Sequence, residues 1–159
     1  MIKLTPPLSL LKIGLLRSIE LFNSNECKQR KKEFEYLENT ERVRVVFGIN
    51  PSFLVIGLVD NSQPILVDKK QEVQGVFVDS VLNKMALSKV AESVEKLYET
   101  VSMLREIWEG KEHEISLVKS PENMALRDSI LSRIQKANPT VDVLFWNYQA
   151  FRELDIKMY

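Results

Sequence analysis

The chain has 159 residues, of which 45% are hydrophobic and 28% charged, a balance that excludes collagen-like, low-complexity and disordered classes and allows a core without disulfide or metal support. Its 22 basic and 22 acidic side chains cancel, so the overall basic excess typical of a dedicated nucleic-acid binder is missing. A single cysteine, Cys27, and a single histidine, His113, rule out an intrachain disulfide and zinc sites built on several Cys or His.

In chain order, Thr5-Pro6-Pro7 reads as a helix entry. Leu8, Leu11, Leu15, Ile19 and Phe22 follow at helical spacing, which predicts an apolar helix over 8–22 that could serve as a docking element. Residues 26–33 are a charged stretch. Alternation in 34–47 predicts a hairpin with one polar face. The apolar run 53–59 predicts a central strand. A turn at Asp60–Pro64, a strand at Ile65–Val67, a break at Asp68-Lys69-Lys70 and a strand over 73–78 complete an antiparallel meander of four or five strands.

The clearest periodicity lies downstream. Leu87, Val90, Val94, Leu97, Val101, Leu104 and Trp108 recur at spacings of three and four, the seam of a heptad repeat. With Asp79 or Ser80 as a cap and Gly110 as a stop, it predicts one helix from about 80 to 109, with Glu92 and Lys96 as an i,i+4 pair. Ile115–Val118 reads as a short strand. Ser120-Pro121 opens a helix ending at Asn138-Pro139, and 141–146 is strand-like, which together predict a C-terminal βαβ unit. The expected fold is therefore α+β, with mixed α/β as the variant. An antiparallel meander would be crossed by one long amphipathic helix and followed by that βαβ unit, in a single domain over 1–159.

Catalytic chemistry is mostly excluded by residue supply. The five glycines, Gly14, Gly48, Gly57, Gly75 and Gly110, are scattered, so neither a dinucleotide fingerprint nor a P-loop can be written. One acidic constellation remains: Asp60 after one apolar strand, and Asp68 with Lys70 after the next. An acid facing an acid-x-lysine is the arrangement of metal-dependent nucleases of the restriction-endonuclease type, where carboxylates hold Mg²⁺ and the lysine meets developing charge. Against it, Asp is an ordinary turn residue. A register pairing Val59 with Ile65 would also hold the two carboxylates about 10 Å apart or more.

A basic and aromatic stretch over 28–44 (Lys28, Arg30, Lys31, Lys32, Phe34, Tyr36, Arg42, Arg44) could engage nucleic acid weakly, but Glu33, Glu35, Glu38 and Glu41 interleave with it. What remains in excess is apolar surface. The sequence therefore predicts a non-enzymatic interaction, assembly or adaptor protein with no cofactor, no metal and no membrane span. It would work in the cytoplasm, binding a protein partner or a second copy, with a dimer favoured. The candidate interface residues are Leu8, Leu11, Leu15, Val90, Val94, Leu97, Val101, Leu104 and Trp108. The seam has a second reading, as core of the chain's own fold.

Overall fold

A computed structural model describes residues 3–30, 54–79 and 84–155. The class is α+β, built on an antiparallel sheet with its strands in chain order: β1 (Leu10–Ile13), β2 (Arg17–Leu21), β3 (Leu54–Val59), β4 (Gln63–Val67), β5 (Val73–Asp79) and β6 (Lys84–Ala91). Residues 24–30 are helical and form α1. Three further helices follow the sheet: α2 (Val94–Trp108), α3 (Pro121–Ala137) and α4 (Leu144–Phe151), the last running into a 3₁₀ turn at Arg152–Asp155.

The N-terminal helix is corrected to a hairpin. Leu11 and Ile13 are buried while Leu10 and Lys12 are exposed, the period of two that a strand requires. Gly14 breaks the chain at φ +66°, and Leu11 pairs with Ile19 and Ile13 with Arg17 across the turn. Leucines at spacing three and four fit both periods over so short a run. The conformation is decided by the glycine and by the long-range pairing of β2 with β3, Ile19 against Val59.

The seam helix is corrected at its start. Residues 84–91 form β6, paired along its length with β5. The helix begins only after Ser93, whose side-chain oxygen accepts from the Lys96 N–H at 3.2 Å, the role of an N-cap. Glu92 thus lies outside the helix and pairs with Lys89 at 2.7 Å, while Lys96 pairs with Glu99. The far end is as expected, with Gly110 at φ +81° just beyond Glu109. From there α2 crosses the whole sheet, touching both β6 and β1. Fifteen residues span about 22 Å at 1.5 Å each, close to the ~24 Å width of six strands.

The C-terminal βαβ unit is absent. Residues 115–118 are not a strand, and 144–151 are helical. Ser120 does cap α3, accepting from the Asn123 N–H at 3.1 Å, with Pro121 in its first turn. At the other end buried Asn138 donates to Ile134 O at 3.0 Å and accepts from the Glu92 N–H at 2.9 Å, tying the end of α3 to the end of β6. Trp146 then donates its indole N–H to Val90 O at 2.8 Å, and Phe145 packs on Gly75, where a Cβ would lie 2.9 Å from the ring. The aromatic run that resembled a strand is α4, seated against β5 and β6. The hairpin expected over 34–47 lies outside the described residues.

Candidate functional site

Most of the seam is core of this chain. Val90, Leu97, Val101, Leu104 and Trp108 are fully buried, and Leu11 is buried beside them. Leu8 and Val94 are half-buried and pack on the same cluster. Of the nine residues expected at an interface, Leu15 alone is well exposed, at 56%. The structural reason is the sheet: a six-stranded face must be covered, and α2 covers it.

The acidic constellation does not assemble. Asp60 sits in the β3–β4 turn at φ +52°, and its carboxylate accepts from the Ser18 N–H at 3.0 Å. Asp68 closes the next turn, accepting from the N–H groups of Lys70 at 2.9 Å and Glu72 at 3.0 Å and from the Gln74 amide at 3.2 Å. The observed register pairs Val59 with Gln63 and Leu54 with Val67, with a bulge between Val55 and Gly57. Asp60 and Asp68 thus lie at opposite ends of the β3–β4 pair, about five residues or ~17 Å apart. Among the described residues no group of three or more His, Cys, Asp or Glu could hold a metal ion. Of the basic stretch 28–44, only Lys28, Gln29 and Arg30 are described, and Arg30 pairs with Glu20 and lies over the Phe22 ring.

Exposed apolar surface gathers instead at the tip of the β1–β2 hairpin. Leu15 and Leu16 occupy the turn, Leu16 at 71% exposure, and the Leu15 N–H donates to Glu114 O at 2.7 Å. That bond holds the 111–118 loop to the turn, and the residue after Glu114, Ile115, is 64% exposed. The tip is held from behind. Gly14 lies so close to Glu114 O that an added Cβ would come within 2.4 Å of it. Buried Arg17 donates to the Gln149 carbonyl and to both carboxylate oxygens of Glu153, at 2.6 and 2.7 Å. Burial pulls the Arg17 guanidinium below its ordinary pKa, and Glu153 opposes the shift. The hairpin is thereby clamped to α4 and to the 111–118 loop. The sequence set Leu15 on a helix face, where the structure has an exposed turn, and did not single out the exposed Leu16 and Ile115. The usable signal was Gly14 followed by two leucines, a turn whose side chains have nowhere to bury.

A cleft of about 230 Å³ lies beside the same hairpin, between Leu8, Leu10, Leu11 and Lys12 on one side and Arg105, Trp108, Glu109 and Glu112 on the other. Arg105 and Glu109 pair with each other at 3.4 Å. Glu112 is held below the usual carboxylate range by its own N–H and that of Gly110. A second exposed pair, Leu144 and Tyr148, stands one turn apart on α4, with Arg152 over the Tyr148 ring. No helix among the described residues is long and apolar enough to cross a membrane. No family model, no curated protein and no solved structure matches this chain.

Proposed function

We propose that the chain is a non-enzymatic assembly or adaptor protein that binds another protein through the tip of the β1–β2 hairpin. The carrying observation is that Leu15 and Leu16 are more than half exposed on a turn fixed from behind by Gly14, Glu114 and Arg17, and that Ile115 is more than half exposed in the loop bonded to that turn. Apolar side chains presented together on an anchored turn are suited to burial against a partner at little ordering cost. The expected interaction role thus moves from helix faces to a hairpin tip. A cytoplasmic setting suits the single thiol, Cys27, which is free and buried. The turn duties of Asp60 and Asp68 and the distance between them weigh against the nuclease alternative.

The test is the native size of the protein in extracts of cells that express it, as wild type and as Leu15→Glu with Leu16→Glu. Both positions are exposed, so the double variant should fold normally. We expect wild type in complexes larger than 18.4 kDa and the variant released from them. A wild type running at the monomer mass, or a variant retained in the same complexes, overturns the reading.

A further inference from the structure

We infer that Glu153 latches the hairpin tip: its carboxylate keeps Arg17 buried and so holds Leu15 and Leu16 in the presented position, and removing its charge frees the tip while the sheet and α2 stay folded. This rests on the interaction reading above and names the residue that controls that surface.

Pairing of β2 with β3 runs over Ile19–Leu21. Ser18 adds a tie to the β3–β4 turn, its N–H donating to the Asp60 carboxylate at 3.0 Å and its O accepting from the Asp60 N–H at 2.9 Å. Residues 14–17 project beyond that point. Among the described residues, two sets of hydrogen bonds tie them to the rest of the fold. One is the bond from the Leu15 N–H to Glu114 O. The other is made by the Arg17 side chain, to Gln149 O on α4 and to both carboxylate oxygens of Glu153 in the 3₁₀ turn.

The Arg17 side chain is 3% exposed and that of Glu153 is 23% exposed. Removing one partner of a buried pair leaves the other charge uncompensated, which is strongly unfavourable. The other charges near Arg17 do not replace Glu153. Arg152 repels it, and Asp60 attracts it more weakly than Arg152 repels. With Glu153 neutral, Arg17 therefore meets a net like charge. The Trp108 ring, 5.9 Å from its Cζ, offers only a cation–π contact. Swinging the tip out takes Arg17 to water and gives up the bonds of 14–17, while α2 keeps its buried Leu97, Val101 and Leu104. The C-terminal turn is the fixed side of the latch. Leu154 is buried, and Asp155 accepts from Arg127 and from Asn147, each at 2.6 Å.

Amide hydrogen exchange on the full chain reads the latch. In wild type the amides of 14–17 should be protected. Glu153→Gln keeps the shape of the side chain and drops its charge. The tip amides should then exchange on the order of 100-fold faster, close to the rate of an unfolded chain, while those of 97–104 in α2 stay about 1000-fold or more below that rate. Arg17→Met combined with Glu153→Gln removes both charges and leaves an unbranched apolar side chain in the same space. That double variant should regain about tenfold protection at the tip over Glu153→Gln alone, although it has lost more hydrogen bonds. Loss of bonds without a charge effect would give the reverse order. In the extract assay, Glu153→Gln should leave the large complexes with Leu15 and Leu16 intact, and the double variant should return to them.

Tip amides that are unprotected in wild type, or that stay protected in Glu153→Gln, overturn the inference. Loss of protection in α2 together with the tip overturns it too, as does a double variant no better protected than the single one. Retention of Glu153→Gln in the complexes overturns the claim that the latch controls the surface. A wild type at the monomer mass sinks the interaction reading alone, and the exchange rates still decide the latch.

Discussion

Replacing Gly14 by alanine isolates what holds the hairpin tip in place. The residue sits at φ +66°, and a Cβ there would lie 2.4 Å from Glu114 O and 3.2 Å from the Trp108 ring. The left-handed backbone alone costs an alanine about 1–2 kcal/mol. The Glu114 oxygen belongs to the backbone and must move, which weakens the bond it accepts from Leu15 at 2.7 Å and adds about 1 kcal/mol. We therefore expect Gly14→Ala to lose about 2–3 kcal/mol. Gly110 provides the control: it has φ +81° but nothing within 4 Å of an added Cβ, so Gly110→Ala should lose only the backbone share, about 1–2 kcal/mol. Urea unfolding followed by circular dichroism reads both, through midpoints at unchanged slope. Equal losses in the two variants would refute the claim that Gly14 is held against the 111–118 loop. A loss at Gly14 below about 1 kcal/mol would refute its left-handed conformation as well.

Leu97→Ala should cost about 2–5 kcal/mol in the same unfolding assay, the range for truncating a buried leucine, because Leu97 is fully enclosed between α2 and the sheet. A cost under about 0.5 kcal/mol would mean that the core lies elsewhere. Cys27, buried near Val55 O and pushed up to about 11 by burial and by Glu26, should react with a disulfide reagent at neutral pH only at the rate of unfolding. A stoichiometric burst in the native protein would contradict this. The Glu92 carboxyl is drawn down to about 2 from an ordinary 4.5 by Lys89 and by the hydroxyl and N–H of Thr140. A depressed carboxylate supports the fold above its unfolded pKa and loses that support as pH falls through its folded one. The contribution is present above about 4.5 and gone below about 2. Glu92→Gln should therefore flatten the fall in stability across that window and leave its shape above pH 5 unchanged; identical acid profiles would contradict the pairing.

The α+β class and the central strands were legible because their signals are local. The apolar run ending at Val59, the Asp60–Pro64 turn and the return strand need no knowledge of the rest of the chain. The caps at Ser120 and Gly110 were legible for the same reason. The N-terminal hairpin and β6 were not. Leu8, Leu11 and Leu15 fit a helix as well as a strand, and what selects the strand is a partner some forty residues away, Val59 across from Ile19. Leu87 and Val90 extended the seam by one heptad, too short a run to oppose β5, which recruits them to the sheet. The C-terminal aromatics misled because bulky residues favour strands on average, whereas Trp146 and Phe145 are spent on covering β5 and β6. The acidic pair failed as a site for a geometric reason, since a hairpin carries its two turn aspartates to opposite ends. Exposure is set by what the rest of the fold leaves uncovered, so Ile115 had no signature of its own and Leu16 was marked only by its place after Gly14.

The claim that the protein acts by presenting the β1–β2 hairpin is tested most directly by amide hydrogen exchange, comparing the isolated monomer with the associated state. Protection gained over 10–16 and 114–118, with no change over 60–70, is the predicted result. Protection confined to other segments, or gained at the Asp60–Lys70 turns and not at the hairpin, would contradict it.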